Sequence, residues 1–366
     1  MNKKWIVLAV CLAIIVSIVT YLNYDKIEEF LENKSWQLAD SVATIQLDNI
    51  IQVASGKNLV VLTNDSIDFY KDTDAVNNSL DIVASEIVTS CSNEYTAIAD
   101  KKTGNIYMMK SDTKLWETKI TGEIFDITVN KNGYVAVTYS QTGYKSTIKV
   151  LKASGEELFT TFLASTYATD VAIADNNKIL AVAEVDTEGI TLISKIKIIE
   201  IDNVNETKSN TIHEEKDSLI MDIEYTNKNE LMVLKDTGVM LIDNKMMISN
   251  IVEYDYSTVA YSIIENRENA ILIRKASTGI FGTESVLEIY DKDNKKEYRL
   301  ETTPQSISAQ NKTIALNLGN EVVFVNTNGN LIKRYNLGGQ LRDIKLYDNG
   351  NMAALVFKNK IELIKI

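Results

Sequence analysis

Proline, histidine and cysteine are nearly missing from this chain: one Pro, one His and two Cys in 366 residues. His213 and the two cysteines supply too few nitrogen and sulfur ligands for a zinc site. His213 also lacks the setting of a Ser-His-Asp base, since no G-x-S-x-G accompanies it. It lies in Thr211-Ile212-His213-Glu214-Glu215, which reads as a surface residue on a polar outer strand. Cys11 falls in an N-terminal apolar run and Cys91 in the globular part, so no disulfide joins them. Cys91, between Ser90 and Ser92, reads as a small buried hydrophobe rather than a reactive thiol. With Pro304 alone and only 15 glycines, turns fall to Asn, Asp, Lys and Ser. No Gly-rich phosphate loop is present. Basic charge is short as well: Lys and Arg total 38 against 50 Asp and Glu, a formal net charge of -12. That balance argues against nucleic acid and against a broad surface for anionic lipid. It reads first as solubility, and second as an acidic face for a basic partner or for cations.

What is present begins with an apolar run. Trp5 to Leu22 carries no charge and meets the lower limit for a membrane-spanning helix. Lys3 and Lys4 precede it and Asp25, Glu28 and Glu29 follow, which places the N-terminus in the cytoplasm and the rest outside. The exit, SIVTYLNYDK, lacks the small residues of a cleavage site. Leu8-Ala9-Val10-Cys11 resembles a lipobox with Val10 in the small-residue slot. The expectation is a retained single-pass anchor over 1–22, a helical stalk over 23–35 and an extracytoplasmic domain over 36–366.

From Trp36 onward the chain repeats. In Gly122 to Leu163, two alternating apolar strands flank Asn132-Gly133, and a third and fourth strand flank Ser154-Gly155. Asn-Gly between alternating runs is a hairpin signal. Four antiparallel strands in about 40 residues make one blade of a β-propeller. The first hairpin recurs eight times, from Ile51–Leu62 to Ile344–Phe357, mostly with Asn in the turn. The third strand also recurs eight times, but the fourth only seven, with its first copy read at Leu80–Ala84. The chain stops after the third strand of the eighth unit, which would leave an apolar edge exposed. Trp36 to Leu47 has strand character and no other partner, so it is expected to supply the missing strand. The reading is all-β: an eight-bladed propeller, or seven if one weak unit is misread, closed by its N-terminal strand.

Gly104 followed by NIYMMKSDTKLWETKITG resembles the repeat of pyrroloquinoline-quinone-type (PQQ-like) propellers: Gly, an aromatic strand, a turn, Leu115-Trp116, and Gly122. Gly155-Glu156-Glu157-Leu158-Phe159 and Gly329-Asn330-Leu331-Ile332 are weaker versions. The Trp-Asp endings of WD40 repeats are absent, so the likeness to WD40 is one of architecture. Quinone dehydrogenases of the resembled class use a vicinal cysteine pair over the cofactor. Cys91 stands alone, so the resemblance implies fold without redox activity, and no cofactor is expected. The layout of anchor and acidic propeller looks like an uncharacterised single-pass family of Gram-positive bacteria. The abundance of Asn, Lys and Ile fits an AT-rich bacterial genome.

Asp126, Asp170, Asp222 and Asp343 each precede an Ile or Val at the start of a first strand. First strands line the channel of a propeller, so four acids there are a candidate cation ring. The structural reading beside it is that each bonds nearby backbone N–H groups. Asp291-Lys292-Asp293-Asn294 lacks the Gly and Glu of a calcium loop and reads as a hairpin turn. Recognition is expected on loops of one rim, Thr187–Ser194 and Ser277–Ser285. The function that fits is a protein-binding or scaffolding module of the cell envelope, with other membrane or envelope proteins as partners and no nucleic acid. The alternative is an envelope glycan hydrolase or lyase using acids around the channel.

Overall fold

The period-two runs and their Asn-centred turns fold into 32 strands in a computed structural model. It describes residues 41–366 apart from 48, 72–75, 82–85, 203–208, 280–281 and 293. The expected anchor and stalk, and Trp36 to Asp40 of the expected closing segment, lie outside the described residues. Among the described residues no helix is long and apolar enough to cross a membrane.

Strand β1 (Ser41–Gln46) comes first and pairs last. Blade 1 is β2 (Gln52–Ser55), β3 (Leu59–Leu62), β4 (Ser66–Tyr70) and β5 (Val76–Asp81). Blade 2 is β6 (Ile87–Ser92), β7 (Tyr95–Asp100), β8 (Asn105–Lys110) and β9 (Thr113–Lys119). Blade 3 is β10 (Ile124–Val129), β11 (Val135–Gln141), β12 (Tyr144–Leu151) and β13 (Glu157–Leu163). Blade 4 is β14 (Tyr167–Ile173), β15 (Ile179–Asp186), β16 (Ile193–Glu200) and β17 (Ser209–Lys216). Blade 5 is β18 (Ile220–Tyr225), β19 (Leu231–Lys235), β20 (Gly238–Ile242) and β21 (Ile248–Glu253). Blade 6 is β22 (Val259–Ile263), β23 (Ala270–Gly279), β24 (Gly282–Tyr290) and β25 (Lys295–Leu300). Blade 7 is β26 (Ser306–Gln310), β27 (Thr313–Asn317), β28 (Glu321–Asn326) and β29 (Leu331–Asn336). Blade 8 is β30 (Asp343–Leu346), β31 (Met352–Val356) and β32 (Lys360–Lys365), and β1 completes it.

The fold is thus an all-β, eight-bladed propeller, with eight four-stranded sheets. The expected closure is present: β1 runs antiparallel to β32, with Thr44 opposite Glu362 and Ile45 opposite Ile361. Closure matters because the core is divided among the blade interfaces. Eight apolar clusters each join residues of two adjacent blades. Ile45 belongs to the one joining blade 8 to blade 1. A blade left three-stranded would leave that layer half covered. The second strands β3, β19 and β27 are buried along their whole length, and third strands such as β8 and β16 alternate buried and half-buried positions. Outer strands such as β9 are largely exposed.

Two expectations are corrected. The fourth strand of blade 1 is Val76–Asp81, not Leu80–Ala84. Its sequence, VNNSLD, has weak strand propensity, and it forms by backbone pairing along β4. Ser277 to Ser285 is not a loop, because β23 and β24 continue as a paired hairpin to Gly279 and Gly282. Thr187 to Leu192 is a loop between β15 and β16 as expected.

The Leu115-Trp116 signature does packing work between blades. Trp116 Nε1 donates to the carbonyl of Ala153 at 2.9 Å. Gly155 turns there at φ 85°, and a Cβ on it would lie 2.9 Å from the indole Cγ. Only glycine satisfies both the left-handed turn and the ring above it.

Candidate functional site: the carboxylate-lined bore

The first hairpin turns gather around one mouth of the central bore and bond to each other. Lys57 N–H donates to Asn93 O, and the Tyr95 ring lies over Gly133. Asn130 Nδ2 donates to Asn177 Oδ1 at 2.7 Å, and Asn176 N–H to Asn229 Oδ1 at 3.2 Å. Asn227 bonds Glu268, Asn266 bonds Asn311, and Asn311 bonds Asn349. Asp348 N–H donates to Gly56 O and closes the circle. Asn suits these turns because it tolerates positive φ, seen at Asn93, Asn177, Asn229 and Asn311.

Inside the collar is a cavity of about 610 Å³ lined by the first strands. These strands are the inner edges of their sheets, with unpaired N–H groups facing the bore. Side chains of preceding blades accept from them: Ser90 Oγ from Val129, Asp170 Oδ2 from Ile223, Glu265 Oε2 from Ala309 and Ser308 Oγ from Leu346.

The structure places Asp126, Asp170 and Asp222 in the cavity wall in three consecutive blades. Each follows a register shift in its strand, with Phe125, Thr169 and Met221 as the extra residues. Each also accepts from the next backbone N–H, at 2.7 Å for Asp170 and Val171. Asp343 makes the same bond to Ile344 N–H at 2.8 Å. Its other oxygen lies 3.3 Å from Lys345 Nζ, and it stands outside the cavity wall. Four further carboxylates line the bore that the sequence pattern passed over: Glu224, Glu265, Glu268 and Asp348. Glu224 had a signal, since it lies two residues beyond Asp222 on the same face of the strand.

Burial raises six carboxyls of the wall above their ordinary values: Asp126, Asp170, Asp222, Glu224, Glu265 and Asp348. Asp170 is raised furthest within its pair, by burial and then by the charge of Asp222, to which it is hydrogen bonded. Asp222 is also raised by burial, and the bond from Asp170 opposes the rise. The two therefore titrate as one interacting pair. Burial, then the charge of Asp222, pushes Glu224 up to about 8. Glu224 is deep in the ring yet keeps 41% of its side-chain surface open to the bore, so solvent tempers that rise. Asp126 and Glu265 are raised by burial with Asp222 adding, and burial takes Asp348 up to about 6.

Cations sit at the collar. Arg267, at φ 59°, reaches from blade 6 to Asp175 of blade 4 at 3.1 Å and lies 3.8 Å from Glu224. Lys131 Nζ is 3.0 Å from the same Asp175 oxygen. Among the described residues no group of three or more His, Cys, Asp or Glu is placed to hold a metal ion. Cys91 also lines the cavity, and burial pushes its thiol up to about 12. His213 lies on outer strand β17, half-buried, with Nε2 3.3 Å from Glu215. Asp291 and Asn294 close the β24–β25 hairpin through Asn294 N–H to Asp291 Oδ1 at 2.7 Å.

The ring is similar to several solved propellers. They include the C-terminal WD40 domain of Sif2, at TM-score 0.64 and 10% identity over 90% of this chain and 99% of that one. Sqt1 from Chaetomium thermophilum aligns at TM-score 0.53 and 11% identity over 90% and 99%. An oligogalacturonate lyase in complex with manganese aligns at TM-score 0.53 and 10% identity over 90% and 98%. At these identities the likeness shows the fold alone. No curated protein matches the chain by sequence. A family model described as a family of unknown function (DUF5711) matches residues 32–366.

Proposed function

The chain belongs to the DUF5711 family, a family of unknown function, and from that premise we propose that it is a membrane-anchored, extracytoplasmic protein-binding or scaffolding module of the cell envelope. The observation that carries this reading is the closed ring. Eight blades joined by eight apolar layers and zipped by β1 and β32 hold the rim loops on a rigid frame. Loops on a rigid frame are where recognition concentrates. The anchor rests on the uncharged run Trp5 to Leu22 behind Lys3 and Lys4.

The glycan-cleaving alternative is not favoured by the bore. Asp170 and Asp222 are hydrogen bonded to each other, which brings them closer than the roughly 5 Å that retaining glycosidases need around a sugar. Their nearest backbone N–H groups are already engaged, as expected of acids that stabilise an inner strand edge. The test is affinity isolation of the intact chain from gently solubilised membranes of its native host. The reading expects a stoichiometric envelope or membrane protein. Recovery of none across several detergents contradicts it.

A further inference from the structure

The end of the ring opposite the Asn collar carries a group of exposed apolar residues on blades 3 and 4. Tyr144 begins β12 and Phe162 lies near the end of β13, with ring centroids 4.7 Å apart. Lys145 follows Tyr144, and its Nζ lies 5.1 Å from the Tyr167 ring centre at the start of β14. The same ammonium is 2.9 Å from Glu188 in the loop between β15 and β16. Two residues on, Ile190 is fully exposed at 109%. Tyr144, Phe162 and Tyr167 keep 41%, 46% and 45% of their surface. Single exposed apolar residues are ordinary, but Tyr144 stacked on Phe162, the Lys145–Tyr167 contact beside it and Ile190 in the loop that Lys145 reaches gather exposed apolar surface at one end of two blades, as interaction surfaces do.

The charge around the patch selects the occupant. Asp186 Oδ1 accepts from Glu188 N–H at 3.0 Å, so the acid that ends β15 and the acid of the following loop lie side by side. Against them stands Lys145, already engaged by Glu188 and by the Tyr167 ring. The cluster is net negative, on a chain whose formal charge is -12. Lys145 also displays the local mode of recognition: a cation between an aromatic face and a carboxylate.

We infer that this face of blades 3 and 4 docks a basic, amphipathic protein segment, whose apolar side covers Tyr144, Phe162, Tyr167 and Ile190 and whose Lys or Arg side chains meet Asp186 and Glu188. The inference rests on the protein-binding reading and gives that reading a surface and a partner chemistry. Aromatic side chains in the centre with charges at the rim is the usual anatomy of such interfaces.

The test uses the full chain in zwitterionic nanodiscs and a labelled 18-residue peptide of alternating leucine and lysine. Empty nanodiscs provide the background. Tyr144→Ser with Phe162→Ser is expected to weaken binding at least about tenfold, and Glu188→Lys alone about fivefold. Met247→Ser, an exposed apolar site at the other end of the ring, leaves binding unchanged. Unchanged melting of each variant shows that the fold is intact. Equal binding of a leucine–glutamate peptide overturns the inference. So does unaltered affinity in both patch variants, or displacement of the basic peptide by a neutral oligosaccharide. A photoreactive residue placed at position 162 or 247 in native membranes separates the two claims. Crosslinks to protein at 247 alone overturn this inference and leave the protein-binding reading standing. Crosslinks at neither position overturn both.

Discussion

Replacing Glu224 by Gln isolates the electrostatic cost of the bore. Burial and the charge of Asp222 take this carboxyl from its ordinary 4.5 to about 8. The folded chain therefore holds the proton more tightly than the unfolded chain. The associated stability is complete below about pH 4.5 and is lost as pH rises through about 8. For a group fully cut off from water the loss would be about 5 kcal/mol. Glu224 keeps 41% of its side-chain surface open, and screening reduces the figure to about 1–2 kcal/mol. Gln has nearly the same shape and never ionises. Glu224→Gln should match the parent at pH 4.5 and melt about 2–4 °C higher at pH 9. Thermal unfolding followed by circular dichroism across that range reads the gap directly. A gap of the same size at both pH values, or a less stable variant at pH 9, refutes the argument. The second outcome would mean that Arg267, 3.8 Å away, gains more from the charge than the bore loses by it.

Two further outcomes follow from packing and burial. Gly155→Ala puts a Cβ against the Trp116 ring at a left-handed φ and should cost about 1–3 kcal/mol in denaturant unfolding. Combined with Trp116→Ala, its effect should be clearly less than additive, because the ring it collides with is gone. Cys91, its thiol pushed up to about 12, should react with iodoacetamide at pH 8 at least about 100-fold more slowly than free cysteine, and normally once urea unfolds the chain.

The ring was legible because each blade repeats two local signals, an apolar alternation and an Asn-centred turn. The missing eighth outer strand then had one remaining candidate, and β1 fills that place. What escaped was structure made by backbone pairing alone. Val76–Asp81 is too polar to announce itself, and the β23–β24 extension carries turn-like residues through a paired hairpin. The site was legible to the same depth. Asp126, Asp170 and Asp222 share a place in the repeat and share the cavity wall. Asp343 holds the same place, but Lys345 two residues on pairs with it. Glu265 and Asp348 lie at the turns, where the blades differ in length, so no common spacing marks them. The Tyr144–Phe162 patch joins three strands and a loop of two blades, a proximity that no single repeat encodes.

The account depends most on the ring being zipped by its first and last strands. Thr44 and Glu362 are directly opposite across β1 and β32, at a separation that suits a cross-strand disulfide. In a chain with Cys11 and Cys91 changed to Ser, Thr44→Cys with Glu362→Cys should oxidise to one intramolecular crosslink and raise the melting temperature. A pair that stays reduced under oxidant, or that links two chains instead of one, contradicts the closed ring.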